Sequence, residues 1–300
     1  MPAEQRVWTI IDIIRWGTGY LTDKGFDEAR LTVELLLSET LGLKRFDLYV
    51  KHDQPLKQGE LEKLRTLIKR RLAHEPVQYI LGKTTFYSID LKVDRRALIP
   101  RPETEILAEA VIEHCRTFLS QKEGVRVLDI GTGSGCIAIA IARFVKNASV
   151  TAIDSSAQAI ELADENSRAT KTDDRIHFMQ SDFLKGSVDS FEGPFDIVVS
   201  NPPYIPASEF SGLPEEIRSY EPSNALTDGG DGLGFFRKIA ESAPTLLRSG
   251  GWVFVETADG QAKHVAEIFS GSGGSEVGMK KDLLNIERVV MSRFFVRSMD

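Results

Sequence analysis

An apolar stretch, Val125–Ile130, runs directly into Gly131-Thr132-Gly133-Ser134-Gly135, and a helical run, Ile137–Val145, follows at once. Strand, glycine turn and helix in that order constrain this chain more than any other feature. Such a unit belongs to a sheet whose ligands sit where loops leave the carboxyl ends of the strands. The glycines let the backbone turn sharply and let a ligand approach closely. The alternation then continues. Ser149–Ile153, Ile176–Gln180, Phe195–Ser200 and Trp252–Glu256 read as strands. Ala157–Ala169, Leu233–Leu247 and Gln261–Phe269 read as helices, and Glu276–Leu283 with Ile286–Phe294 as a terminal antiparallel strand pair. Seven strands in this rhythm predict an α/β fold with a mostly parallel sheet covered on both faces by helices. Gly271-Ser272-Gly273-Gly274-Ser275 has no strand leading into it as a phosphate loop would require, so it reads as a flexible loop.

The 300 residues exceed the needs of one core, and the first 75 have a different texture. Val7, Trp8, Ile10, Ile11, Ile13 and Ile14 recur at helical spacing, with a stop expected near Gly17-Thr18-Gly19. A second helix is expected from Asp27 to a cap at Gly42, a short one over Arg45–Val50, and a longer one over Gly59–His74. These faces bury only against one another, which predicts a small helical bundle. Arg70-Arg71 near its end reads as a solvated face or a partner contact. Gln78–Gly82, Thr84–Tyr87 and Ile89–Val93 read as short strands, so a β-hairpin linker is expected over 76–98. A helix is expected from about Glu103 to Leu119. The expected organisation is 1–75 bundle, 76–98 linker and 99–300 catalytic domain.

Hydrophobic content of 42% and charged content of 27% describe an ordinary globular chain. MPAEQRVWTI lacks the basic start and apolar stretch of a secretory signal, and no apolar run approaches bilayer length. Cys115 and Cys136 have no metal-like spacing and read as buried thiols in a reducing cytoplasm. Residues 1–95 carry a net charge of +2 and residues 96–300 a net −9. An acidic catalytic half is a poor platform for a DNA duplex, whose binding depends on phosphate neutralisation.

Which ligand the glycine loop takes is decided by its neighbours. The dinucleotide fingerprint needs a glycine at 136, and Cys136 stands there. Asp154 ends the second strand and offers a carboxylate to both hydroxyls of a ribose, which fits NAD and S-adenosylmethionine equally. Asp182-Phe183 follow the third strand, where an adenine would sit; a helix cap and plain core are their other readings.

The fourth strand delivers Asn201-Pro202-Pro203-Tyr204 to the same end of the sheet. A carboxamide nitrogen is a poor nucleophile because its lone pair is delocalised, and no ordinary base deprotonates it at neutral pH. A site can hold it instead. Asn201 offers a side-chain carbonyl, and Pro202 a backbone carbonyl with no competing N–H. Two acceptors on the two N–H bonds favour pyramidalisation and aim the lone pair at a sulfonium methyl. Tyr204 sets an electron-rich face against the planar group. Positioning of this kind contributes roughly 7–11 kcal/mol in favourable cases.

The chain resembles the HemK/PrmC family, methyltransferases of the glutamine in peptide-chain release factors. The likeness is carried by "EPVQYILGKTTFYSIDLKVDRRALIPRPETE" (75–105), "VLDIGTGSGCIAIAIA" (127–142), "DIVVSNPPYIP" (196–206), "EPSNALTDGGDGLGFFRKI" (221–239) and "KDLLNIERVV" (281–290). It implies a Rossmann-like class I methyltransferase domain and S-adenosyl-L-methionine as donor, with S-adenosyl-L-homocysteine as product and no metal. It implies cofactor contacts from Gly131, Thr132, Gly133, Ser134, Gly135, Asp154, Phe183 and Asn201, to which the reading of its position adds Asp182. Asn201, Pro202, Pro203 and Tyr204 would bind the glutamine of the Gly-Gly-Gln tip of class I release factors, with Asn201, Pro202 and Tyr204 catalytic. Phe183 stands where relatives often carry Trp, and "ETADGQ" (256–261) keeps Glu256 and Gln261 but not the apolar-Gly pair between them. Asn285 replaces a common glycine, in a turn that asparagine also tolerates.

Three other enzyme readings share parts of this pattern. A ribosomal-protein glutamine methyltransferase and an adenine-N6 nucleic-acid methyltransferase share the tetrapeptide; the acidic half counts against the second. A nicotinamide oxidoreductase lacks a hydride-transfer site, since the five histidines are scattered. A degenerate binding module is at odds with an intact Asp154 and tetrapeptide. The expectation is a cytoplasmic monomer acting on release factors, with no stable nucleic-acid binding and no membrane association.

Overall fold

The computed structural model describes residues 7–295. Residues 1–6, part of the stretch read for a targeting signal, lie outside the described residues. The chain divides after Gly82 into two compact units.

The first unit holds five helices: α1 (Ile10–Asp23), α2 (Ala29–Leu41), α3 (Arg45–Val50), α4 (Gln58–Leu72) and α5 (Val77–Leu81). Thr9 and Asp12 form a capping box that starts α1. The helix does not stop at Gly17-Thr18-Gly19. A side chain at 17 would meet Val33 Cγ2 of α2 at 3.0 Å, so that glycine serves close helix packing rather than termination. Ile10, Leu21, Leu36, Leu37 and Leu48 are fully buried between the helices. The strand expected at Gln78–Gly82 is a helix instead. Val77, Ile80 and Leu81 turn one face into the bundle, and Gly82 closes the helix with φ +69°. Helical spacing over five residues is too short to separate from strand alternation. Arg70 and Arg71 are turned to internal use: Arg70 forms a two-point pair with Glu75, and Arg71 lies 4.5 Å over the Phe26 ring.

The second unit opens with β1 (Lys83–Phe86) and β2 (Ile89–Lys92), a hairpin turned at Tyr87 and Ser88, both with positive φ. Phe86, Ile89 and Leu91 from its inner face enter the core of this unit. Then come α6 (Pro102–Phe118), β3 (Val125–Ile130), α7 (Cys136–Phe144), β4 (Ala148–Asp154), α8 (Ala157–Thr170), β5 (Ile176–Gln180) and β6 (Phe195–Ser200). They are followed by α9 (Glu215–Tyr220), α10 (Gly234–Leu246), β7 (Leu247–Glu256), α11 (Ala262–Gly271), β8 (Gly274–Lys281) and β9 (Glu287–Phe294).

The seven-stranded sheet has the order β5-β4-β3-β6-β7-β9-β8, and all of its strands run parallel except β9, which is antiparallel to both neighbours. This is the expected architecture. Val127, Val150 and Ile197 pack on one face with α6 and α7, while Leu128, Val198 and Val253 pack on the other with α10 and α11. The order reverses between β3 and β6, which places a crevice at their carboxyl ends.

The glycine-serine run at 271–275 is not a loop throughout. Gly271 ends α11, and Gly274 and Ser275 begin β8. A Cβ at Gly274 would stand 2.7 Å from the Phe269 carbonyl, so the glycine allows helix and strand to meet. At the hairpin turn Asn285 has φ +67°, the left-handed conformation expected of it. No helix among the described residues is long and apolar enough to cross a membrane.

Gly17 and Gly19 make opposite predictions. Gly17→Leu gains helix propensity of about 1 kcal/mol but overpacks against Val33, which costs about 1–3 kcal/mol. Gly19 has open space around its Cβ position. Urea unfolding is expected to show Gly17→Leu destabilised and Gly19→Ala stabilised by up to about 1 kcal/mol.

Candidate active site

The glycine loop is folded over the neighbouring strand. The N–H groups of Gly131 and Thr132 both donate to the Ile153 carbonyl at 2.9 Å. Gly131, Gly133 and Gly135 all have positive φ, and a Cβ at Gly135 would meet Ala163 at 3.0 Å. The loop's polar side chains are turned inward. Thr132 donates its hydroxyl to Asp129 Oδ2 at 2.7 Å, and Ser134 is buried with its carbonyl accepting from Asn166 at 2.9 Å.

Asp154 closes β4 beside the loop. Its Oδ2 accepts from Gly133 N and its Oδ1 from Ser156 N, each at 2.9 Å. Burial raises its pKa, and these backbone N–H groups pull it back. Each carboxylate oxygen keeps a lone pair for a ribose hydroxyl. Asp182 and Phe183 line the same cleft. Asp182 also caps its own turn, accepting from Leu184 N at 3.1 Å and Lys185 N at 3.3 Å. Phe183 is buried against the core. The cleft is open to solvent at its mouth.

Asp129 was not singled out by sequence. Wholly buried three residues before Thr132, it keeps Oδ1 without a hydrogen-bond partner, and burial pushes it up to about 7. An acid inside an apolar strand was the available signal. Cys136, where a dinucleotide fingerprint needs glycine, lines the cleft beside Asp154, so the residues present fit an adenosyl sulfonium donor better than a dinucleotide.

All six residues of β6 are buried, and Ser200 pairs with Ile130 of β3. The Ser200 hydroxyl donates to the Ile130 carbonyl at 2.7 Å, tying the end of β6 to the start of the glycine loop. Asn201 follows. It lines the glycine-loop cleft and also a second, adjoining cavity. Pro203 lines the first cavity; Pro202 and Tyr204 line the second. The tetrapeptide is thus the wall between two adjoining spaces. Asn201 Nδ2 donates to Thr104 Oγ1 at 3.0 Å.

Tyr204 is held at both ends. Gln261 Nε2 donates to its carbonyl at 2.9 Å, and its hydroxyl reaches Glu256 Oε1 at 3.4 Å. Glu256 is 1% exposed, and burial pushes it up to about 7 against the pull of the Thr104 and Tyr204 hydroxyls. Burial and Glu256 together raise the Tyr204 pKa, keeping the phenol neutral.

The segment after the tetrapeptide braces it. Ile205 N donates to the Leu226 carbonyl at 3.0 Å and Ala207 N to the Gly230 carbonyl at 2.9 Å. Asp228 gathers the N–H groups of Gly230, Gly232 and Gly234 at 2.8, 3.2 and 2.8 Å. At Gly232 a Cβ would stand within 2.3 Å of the Tyr204 carbonyl. On the facing wall, buried Glu221 accepts from Ile99 N at 3.4 Å and from Arg101 at 2.6 Å. That clamp fixes the strand-like approach into α6 and with it Arg101 and Thr104. Sequence reading marked these segments but gave no role to Arg101, Thr104, Glu221, Asp228, Glu256 or Gln261. Among the described residues no group of His, Cys, Asp or Glu is arranged to hold a metal ion.

Comparison with known proteins gives the family of the chain. Residues 12–82 match the family description "PrmC N-terminal domain" and residues 106–233 match "Methyltransferase small domain". A methyltransferase structure from Pyrococcus furiosus superposes with TM-score 0.50 at 21% identity, covering 78% of this chain and 98% of that one, which is a likeness of fold. The release factor glutamine methyltransferase of Chlorobaculum tepidum is 42% identical over 291 residues, 96% of this chain and 98% of that protein. Its counterpart in Geobacter sulfurreducens is 41% identical over 293 residues, 98% and 99% of the two chains. With such identity over nearly their whole length, the chain belongs to the release factor glutamine methyltransferase family.

Proposed function

We propose that this protein transfers a methyl group from S-adenosyl-L-methionine to the side-chain amide nitrogen of the glutamine in the Gly-Gly-Gln motif of class I release factors. The observation that carries this reading is the position of Asn201, which faces the cofactor cleft and the neighbouring cavity at once.

Gly131, Thr132, Gly133, Ser134 and Gly135 would cradle the donor, with Asp154 on its ribose, Asp182 and Phe183 at its adenine, and Asn201 near its reactive end. When bound, the sulfonium supplies an electrophilic methyl group and leaves as the thioether of S-adenosyl-L-homocysteine. The protein's task is to hold the amide. Asn201 Oδ1 and the Pro202 carbonyl accept from its two N–H bonds, Tyr204 packs on its plane, and Pro203 separates it from the donor. A C–N bond forms as the S–CH₃ bond breaks, and the nitrogen's proton leaves afterwards to water. No base needs to act in the transfer step.

The first unit, read from sequence as residues 1–75 and compact as far as Gly82, would dock the protein substrate. The net charge of −9 on residues 96–300 supports a protein substrate over nucleic acid, and we take the enzyme to act as a cytoplasmic monomer with no stable nucleic-acid partner.

Labelled S-adenosyl-L-methionine offered with purified release factor, ribosomal protein and DNA is expected to mark only the release-factor glutamine; label elsewhere and none there would sink the reading. Asn201→Ala is expected to lose roughly 10²–10³-fold in kcat, as for removal of one preorganised polar contact, with cofactor affinity little changed. Near-normal turnover would refute the two-acceptor arrangement. Removal of residues 1–82 is expected to leave cofactor binding intact and to raise KM for whole release factor; an unchanged KM would refute a docking role.

A further inference from the structure

Turns between strands ordinarily carry glycine or small polar residues. The turn between β8 and β9 carries two leucines instead. Leu283 is wholly exposed and Leu284 is 79% exposed. One exposed leucine means little, but here two neighbours stand together on a turn that is rigidly built. Asp282 Oδ1 accepts from Leu284 N at 2.8 Å and from Ile286 N at 2.9 Å. Its Oδ2 accepts from Arg288 Nε at 3.0 Å. Asp282 N donates to the Ile286 carbonyl at 2.8 Å, and Asn285 N to the Asp282 carbonyl at 3.0 Å. Asn285 supplies the positive φ. Each of these bonds is made by backbone groups, Asp282 or Arg288, so the turn does not call for apolar side chains at 283 and 284. A turn fixed beforehand loses little freedom when something covers it.

The place of the turn says what covers it. β9 runs antiparallel to β7, and Val289 pairs with Glu256 at the carboxyl end of β7. Ser200 pairs with Val255, so Asn201 leaves β6 at the level of Glu256. Residues 282–286 therefore project beyond the same edge of the sheet from which the tetrapeptide emerges. Neighbouring strands lie about 4.8 Å apart and rise about 3.3 Å per residue, which puts the leucines roughly 15–20 Å from Asn201. A free amino acid in the cavity beside Asn201 would not reach them. A glutamine on a folded protein differs, because its carrier has to lie over the surrounding edge. A domain of about 100 residues has a radius of gyration of about 13 Å, broad enough to cover both points at once.

We propose that Leu283 and Leu284 are a docking contact for the release factor, which they meet through an apolar patch on the domain that presents the glutamine. The proposal rests on the reading above, in which the substrate is a release factor.

The test compares Leu283→Ser/Leu284→Ser and Leu283→Met/Leu284→Met with the wild type in the full chain. The measurements are kcat and KM on release factor, calorimetric affinity for S-adenosyl-L-homocysteine, thermal unfolding and sedimentation. The serine pair is expected to raise KM about 10- to 100-fold, the effect of leaving two leucine contacts unmade, with kcat and cofactor affinity within about threefold. Its Tm is expected to stay within about 2 °C, since neither side chain is buried in the free protein. The methionine pair keeps an apolar surface of similar size and is expected to keep the wild-type KM. Wild-type KM in the serine pair overturns the proposal. So does a KM that rises only with a fall in Tm, because the leucines then support the fold. A serine pair that sediments as a smaller species than the wild type assigns the turn to a second copy of this chain and overturns it too. If the serine pair does not fold, Leu283→Ser alone is read by the same outcomes. A wild-type enzyme that labels no release factor brings down the functional reading and the docking contact with it; a labelling wild type beside an unaffected serine pair brings down the contact alone.

Discussion

The pairing of Ile130 with Ser200 is the constraint from which the rest follows. β3 and β6 are far apart in sequence and adjacent in the sheet, at the place where strand order reverses. Their last residues are in register, and the Ser200 hydroxyl seals the pair. A glycine loop leaves one strand and the tetrapeptide leaves the other. A slip along β6 would change which residues reach the cleft, and a one-residue slip would also exchange its two faces. Both faces of β6 are buried, so the helices on each side hold the register.

Around that junction the protein uses carboxyls as organisers. Asp154 gathers two N–H groups, Asp228 three, and Glu221 one N–H and a guanidinium. Glu221 is buried, and leaving such a group without partners costs several kcal/mol, so it is stable only with its donors in place. The dependence also runs the other way, because loops that give up their N–H groups to a carboxyl have few alternative conformations. Asp129 and Glu256 differ. Each keeps one oxygen without a partner, and burial pushes both up to about 7. The incompletely satisfied acids thus lie where the glycine loop and the tetrapeptide meet the sheet.

Much of this was legible in the chain. The alternation of apolar runs exposes a parallel sheet because strands buried on both faces cannot hide their composition. Asn201-Pro202-Pro203-Tyr204 stands out because two prolines after a buried strand serve no ordinary turn. Gly17 and Gly274 misled, since a glycine that permits close approach looks the same in sequence as one that ends a helix or loosens a loop. Residues 78–82 misled because one helical turn offers too few positions to establish a period. Thr104 and Glu256 escaped notice for a different reason. Thr104 is 97 residues from Asn201, and Tyr204 is 52 from Glu256, so only folding reveals what each is for.

One strand carries a consequence for the order in which the molecule is made. β9 is the last strand among the described residues, yet it lies inside the sheet between β7 and β8. Val289 of β9 pairs with Glu256 itself. While the chain emerges from the ribosome, β7 therefore has a bare edge, and the backbone at Glu256 lacks its neighbour. Chains fold from the N-terminus as they are synthesised, but this sheet cannot close until β9 has left the exit tunnel. The backbone support at Glu256 is thus completed by a strand synthesised after every other described strand.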